Sequence, residues 1–290
     1  MVTLHASPPV SAAPEPTVAT CDLPIGVFDS GVGGLTVLRA LRETLPHESF
    51  IYLGDTARLP YGTKSPESVV RYATQCAATL VASGIKALVI ACNTAASAAL
   101  PALQARYPLL PIVGVVEPGA AAALAATRSQ RIAVIATEGT VRAGAYRRAI
   151  ARLNPQAVVT ETPCQVFVAL AEEGWTQGPI VDLIIRQYLQ GVFSEDPAPD
   201  TLLLGCTHFP VLSAALRAAL PDPVAIVDSA QTTALAVASR LQLEDLLKSP
   251  SRPAGVVQFL ATDGAARFAR VGSIFLGAPL LEAAVAVVDV

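Results

Sequence analysis

ALVIACNTAASAAL (residues 87–100) and TLLLGCTHFPVLSAAL (residues 201–216) share one pattern: an apolar run, a small residue, a cysteine, two polar residues and then a helical stretch. A longer internal repeat contains them. IGVFDSGVGGLTVLRAL (25–41) precedes the first, and RIAVIATEGTVRAGAYRRAI (131–150) precedes the second. Two matched halves in one chain predict pseudo-twofold symmetry. Ligands in open α/β sheets bind outside the carboxyl ends of strands. Cys92 and Cys206 both stand at such ends, so both are expected to face one shared cleft.

Outward from this pair, apolar runs alternate with helical patterns. Strands are expected at 25–29, 49–55, 87–92, 111–116, 131–137, 157–163, 201–206, 224–228 and 256–262. Helices are expected over Leu35–Leu45, Pro66–Ser83, Ala95–Arg106, Val141–Leu153 and Pro179–Gln190. Alternating βα units predict mostly parallel sheets with helices on both faces. The expected fold class is therefore α/β: two pseudo-symmetric doubly wound domains with the active-site cleft between them. Residues 24–116 plus 228–290 would form the first domain and 117–227 the second.

Composition removes several alternatives. The 290 residues are 52% hydrophobic and 15% charged, which excludes a disordered chain. Mean hydropathy is +0.51, yet the best candidate membrane span, Pro108–Thr127, carries Glu117 and repeated Pro and Gly. The apolarity instead fits strands buried on both faces. Net charge is −3 with no basic run, so neither nucleic acid nor membrane is an expected partner. Cys21, Cys76, Cys92, Cys164 and Cys206 make no CxxC spacing, which speaks against a disulfide framework or zinc site and for a reducing, cytoplasmic location. Residues 1–23 are rich in Pro, Ala and Ser and read as a disordered extension, not a signal peptide.

A single cysteine after an apolar strand is ordinarily a small buried hydrophobe. The matched context gives these two another reading. Asn93-Thr94 and Thr207-His208 follow them at expected helix N-termini, where backbone N–H groups and the helix dipole favour a thiolate or a carboxylate. Thiols related by pseudo-symmetry could address opposite faces of one small molecule. Such an arrangement removes a proton from one face and delivers one to the other. SGVGGLT lacks the third glycine of a dinucleotide fingerprint, because Thr36 stands there, and no GK[ST] follows.

FDSGVGGLTVLRAL, YLGDTARLPYGTKS, LVIACNTAAS, PIVGVVEPG and LLLGCTHFP, in this order between Ile25 and about Asp228, resemble the signature segments of the glutamate racemases. These belong to the cofactor-independent aspartate/glutamate racemase family. The resemblance implies that L- and D-glutamate are interconverted by two cysteines, one acting as thiolate base while the other stays protonated. It implies no metal and no cofactor, and a role in peptidoglycan synthesis and cell-wall biogenesis. Catalytic roles carry over to Cys92, Cys206, Asp29 on the Cys92 side, and His208 on the Cys206 side. Substrate contacts carry over to Asp29, Ser30, Tyr61, Gly62, Asn93, Thr94, Thr207 and His208, with Thr137 and Thr140 from ATEGT added. CQVFVALAEEG supplies a catalytic acidic residue near the second thiol, which the resemblance places at Glu172, with Glu173 as the alternative. Gln165 there departs from the family pattern, where proline commonly follows the cysteine. Asp29 and His208 also have plainer readings, as a turn or helix cap and as a packed histidine.

Three other functions stay in view. An aspartate racemase or another two-cysteine racemase would share these residues. A ligand-binding protein would keep the fold but needs no thiol pair. A pyridoxal enzyme needs a lysine in a recognisable site, and Lys64, Lys86 and Lys248 are in none. Members of the family include homodimers, and no residue decides whether this chain forms one.

Overall fold

The computed structural model describes residues 20–194 and 196–290. Ten strands form two wholly parallel sheets among these residues. The strands are β1 (Ile25–Asp29), β2 (Phe50–Gly54), β3 (Ala87–Ile90), β4 (Ile112–Gly114), β5 (Arg131–Ala136), β6 (Val158–Pro163), β7 (Thr201–Gly205), β8 (Ala225–Asp228), β9 (Val257–Ala261) and β10 (Val285–Val287). The helices are α1 (Leu35–Thr44), α2 (Pro66–Ala82), α3 (Asn93–Arg106), α4 (Val116–Ala126), α5 (Glu138–Ala143), α6 (Ala145–Leu153), α7 (Gln165–Glu172), α8 (Pro179–Phe193), α9 (Ser213–Ala219), α10 (Ser229–Leu243) and α11 (Ala265–Leu276).

The larger sheet has the order β10-β9-β2-β1-β3-β4, and the smaller has β6-β5-β7-β8. Within them β2-β1-β3-β4 and β6-β5-β7-β8 are the same arrangement, so the sequence repeat is a repeat of topology. In each, the chain passes outward from the first strand and then returns across it. The reversal creates a switch point between β1 and β3 in one half, and between β5 and β7 in the other. Side chains just beyond those strand ends are placed to meet a ligand. Asp29 closes β1, Cys92 follows β3, Thr137 follows β5 and Cys206 follows β7.

Burial follows from the two-sided covering. Every residue of β1, β2, β3 and β7 is buried. Alternation along β5 divides two cores. Ile132 and Val134 join a core continuous with the larger sheet, whereas Ala133 and Ile135 face a second core with Phe167, Ile185, Leu189 and Phe209. One face of the smaller sheet thus packs into the core of the first half, through α4, α6 and α10.

Four expectations change. Val141–Leu153 is not one helix: Gly144, at φ +59°, turns left-handed between α5 and α6. α4, α7, α10 and α11 lie outside the helical stretches named from sequence; α4 and α10 have alanine-rich faces without a clear polar stripe, and β10 is a three-residue edge strand. Most of the expected disordered extension lies outside the described residues. Its last part does not behave as expected: Thr20–Asp22 forms a 3-10 turn, Lys86 Nζ donates to the Cys21 carbonyl at 2.6 Å, and Asp22 pairs with Arg252 at 2.9 Å. Finally, no α-helix starts directly after Cys206. Pro210 interrupts amide donation there, and a 3-10 turn, Phe209–Leu212, precedes α9.

Candidate active site

Residues from both halves line one cleft: Ser30, Gly31, Leu59, Pro60, Tyr61, Gly62, Cys92, Asn93, Thr94, Thr137, Gln165, Val168, Glu172, Cys206, Thr207 and His208. Both cysteines expected to act are therefore together, and most expected contacts accompany them. Asp29 and Thr140 are fully buried and stand outside this lining. Glu172 lines the cleft, while Glu173 caps α7 and is exposed, so the acidic residue near the second thiol is Glu172.

The two thiols have different surroundings. Cys92 is the N-cap of α3, where its Sγ accepts from the Ala95 amide at 3.5 Å. The Cys92 thiol also donates to Ser30 Oγ at 3.5 Å. Burial, and then the Asp29 carboxylate, push this thiol up to about 12, which keeps it protonated at neutral pH. Asp29 itself is raised by burial, against the pull of His208 and the Gly31 and Gly34 amides. Its Oδ2 accepts from the Gly31 amide at 2.9 Å, and its Oδ1 is buried without a partner.

Cys206 faces a histidine instead of a helix terminus. Its Sγ lies 3.8 Å from His208 Nδ1, and His208 Nε2 lies 3.1 Å from Glu172 Oε1. Burial opposes a charge on His208, but the hydrogen bonds to Cys206 and Glu172 outweigh it and raise the imidazole to about 10. Burial likewise opposes ionisation of Glu172, and His208 and Arg267 reverse that, holding its carboxyl below the usual range. An imidazolium thus stands beside the Cys206 sulfur at neutral pH. Room for it is made by Gly33, whose absent Cβ would fall 2.4 Å from His208 Nδ1 and 2.5 Å from Thr207 Oγ1. The ring also meets the edge of Phe275, with centroids 5.0 Å apart.

The polar lining is partly committed and partly free. Tyr61 donates its hydroxyl to Asp55 Oδ2, so that group is not available to a ligand. Asp55 is fully buried and also receives Arg58 Nε at 2.7 Å and Thr262 Oγ1 at 2.9 Å, which pins the loop carrying Tyr61 and Gly62. Thr94, Thr137 and Thr140 form a buried hydroxyl triad at 2.9–3.2 Å that ties α3 to α5, with Thr140 standing behind the other two. Tyr146 donates to Asn93 Oδ1 at 2.6 Å, which turns Asn93 Nδ2 away as a buried donor without a partner. Gln165 Oε1 is a buried acceptor in the same state. Leaving such groups unpaired costs about 1–3 kcal/mol each, and a ligand carrying both donors and acceptors relieves it. Asp55 and Tyr146 were missed in the sequence because neither adjoins a cysteine; the YLGD run was the available signal for Asp55.

Lys64, Lys86 and Lys248 do not line the cleft, so no amine is placed to hold pyridoxal there. Among the described residues, no group of three His, Cys, Asp or Glu could hold a metal ion, and no helix is long and apolar enough to cross a membrane.

A family model described as Asp/Glu/Hydantoin racemase matches residues 25–237. The chain is 50% identical over 256 residues to a glutamate racemase of Geobacter metallireducens, covering 88% of this chain and 93% of that one. A crystal structure of a glutamate racemase isoform from Bacillus anthracis superposes with a TM-score of 0.87 at 36% identity, over 92% of this chain and 98% of that one. The glutamate racemase of Francisella tularensis, solved in complex with D-glutamate, gives a TM-score of 0.85 at 34% identity, over 93% and 98% of the two chains.

Proposed function

The chain belongs to the Asp/Glu/hydantoin racemase family, and from that premise we propose that it is an isomerase interconverting L- and D-glutamate by two-base proton transfer. The observation that carries this reading is the placement of Cys92 and Cys206, from equivalent positions of the two halves, on one cleft. In one direction the Cys206 thiolate, beside the His208 cation, takes the α-proton: the Cα–H bond breaks and an S–H bond forms. The electron pair left on Cα spreads into the α-carboxylate, where Asn93 Nδ2 is a free donor. The Cys92 thiol then gives its proton to the other face, leaving a thiolate at Cys92. The opposite enantiomer runs the same steps in reverse.

Ser30, Gly62, Thr94 and Thr207 are assigned to substrate binding, with Gln165 Oε1 as an acceptor toward the ammonium group and Asp29 behind the lining, beside Cys92. Tyr61 contributes its backbone and ring, since its hydroxyl is engaged. We divide the chain at 116/117 and 227/228, joining residues 20–23 to the first domain. The cytoplasm is the assigned location, in keeping with five free cysteines and with supply of D-glutamate to peptidoglycan synthesis. A homodimer is compatible with this site but not needed by it, since one chain supplies both thiols.

Racemisation of L-glutamate in deuterium oxide, after dialysis against chelator and with no cofactor added, tests the reading. The D-glutamate formed should carry solvent deuterium at Cα. Product that keeps the substrate's own α-hydrogen in full, or activity that needs zinc restored, would overturn it.

A further inference from the structure

α11 packs behind the larger sheet, against α1 and β10, yet Arg267 at its first turn reaches the opposite half. Its guanidinium Nη2 lies 2.7 Å from Glu172 Oε2, on α7. The other carboxylate oxygen, Oε1, holds His208 Nε2 at 3.1 Å, and His208 Nδ1 faces Cys206 Sγ at 3.8 Å. Four side chains thus form one line from the surface of the first half to a reacting thiol of the second. Glu172 and Leu59 also form the wall between the cleft and an adjoining cavity of about 130 Å³, whose lining includes Val32, Thr56, Asp263, Arg267 and Phe268.

The geometry explains what Arg267 does. A carboxylate with a single hydrogen bond can swing about its side-chain torsions, whereas one engaged at both oxygens is fixed. Glu172 has two such partners, and they come from different halves. We propose that Arg267 is a positioning residue for the racemisation, anchoring the Glu172 carboxylate from the opposite half so that the His208 ring stays aimed at Cys206. The assignment rests on the two-thiol reading of the cleft but concerns a residue outside its lining. Other charged or titratable groups facing this line are Asp29 at the end of β1 and Asp263 before α11. Glu173 points to solvent. Arg267 is therefore the cation that Glu172 has besides His208.

Arg267→Ala and Arg267→Lys should be made in the unmodified protein and in a Glu172→Gln background. Arg267 is half exposed, so its loss should leave the fold intact. Arg267→Ala is expected to lower kcat/KM about fivefold, the scale of a partly exposed ion pair. Without this cation Glu172 takes up a proton at higher pH, so the acidic limb of the pH profile should move upward. Arg267→Lys should restore most of both. In Glu172→Gln protein, Arg267→Ala should cost nothing more. A readout independent of turnover is the Nε2–H proton resonance of His208, which should broaden in Arg267→Ala and stay sharp in Arg267→Lys. If the unmodified protein fails to racemise glutamate but this resonance responds, the functional reading falls and the positioning role stands. An unmoved acidic limb with an unchanged resonance, or full additivity with Glu172→Gln, overturns the proposal.

Discussion

Gly33→Ala tests whether backbone proximity sets the reactivity of the second thiol. The added Cβ would lie 2.4 Å from His208 Nδ1 and 2.5 Å from Thr207 Oγ1, against an ordinary contact of 3.4 Å or more. The neighbours must therefore retreat by about 1 Å, and His208 is not free to do so cheaply. Its ring is wedged against Phe275 and its far nitrogen is held by Glu172. Misplacement of a catalytic group by about 1 Å costs on the order of 100-fold in rate. Overpacking of this kind also costs about 1–3 kcal/mol of stability. Circular dichroism can follow D-glutamate formed from L-glutamate, and urea unfolding gives stability separately. Gly33→Ala should fold, bind glutamate and lose about two decades of kcat. Gly191→Ala on α8 is the control, because a Cβ there meets nothing within 4 Å. It should keep full activity and gain about 0.5–1 kcal/mol. A folded Gly33→Ala protein with kcat within about threefold of the unmodified one would refute the reasoning.

His208 carries its proton to about pH 10 when folded, against about 6.5 when unfolded. Its contribution to stability is then complete below about pH 6.5 and is lost as pH rises through about 10, so urea midpoints should fall across that window and His208→Gln should flatten the fall. Lys86 is 3% exposed and holds Glu48 at 2.5 Å, the Cys21 carbonyl at 2.6 Å and the Leu246 carbonyl at 2.8 Å. Lys86→Met should destabilise by about 3–5 kcal/mol, and Lys86→Met with Glu48→Leu should recover much of it; equal losses in both would show that no uncompensated charge was involved. Cys92→Ala and Cys206→Ala should each lose orders of magnitude in racemisation while still binding glutamate. Mixing them under subunit exchange should restore nothing, and recovery with demonstrated hybrid dimers would mean the site is shared between chains.

What could be read from sequence tracks how locally each feature is determined. β1 matches its expected span because IGVFD is apolar to its end at Asp29 and a glycine turn follows. The switch points follow from the repeat, since matching order around two cysteines fixes where the strand ends meet. The helix after Cys92 was legible for the same reason, although it starts at Asn93, two residues before its expected start, which makes Cys92 its N-cap. Glu172 over Glu173 rested on the resemblance alone: both lie at the end of one helix, and the physical reason for the choice is where His208 arrives from a segment far along the chain. Arg267 was invisible on the same ground, since nothing in TDGAARFARVG relates it to a thiol. Tyr61 shows a different failure. Its placement in the cleft lining was expected, but its hydroxyl answers to Asp55, a residue whose role appears once three distant donors converge on it.

The pseudo-symmetry of the two halves stops short of their chemistry, and the reaction explains why that is tolerable. L- and D-glutamate have equal free energies in solution, so kcat/KM must be equal in the two directions whatever the protein does. That equality constrains the whole cycle and leaves each thiol free to reach its reactive state differently. Cys92 sits on an α-helix terminus, where burial and then the Asp29 carboxylate keep it protonated. Cys206 precedes a 3-10 turn and has an imidazolium instead. The two thiols thus meet different neighbours in one reaction, a buried carboxylate on the Cys92 side and a cation on the Cys206 side. Pro210 stands where the second half departs from its twin. The 3-10 turn that replaces the α-helical start has His208 as its N-cap residue, so the departure from symmetry falls at the side chain that faces Cys206.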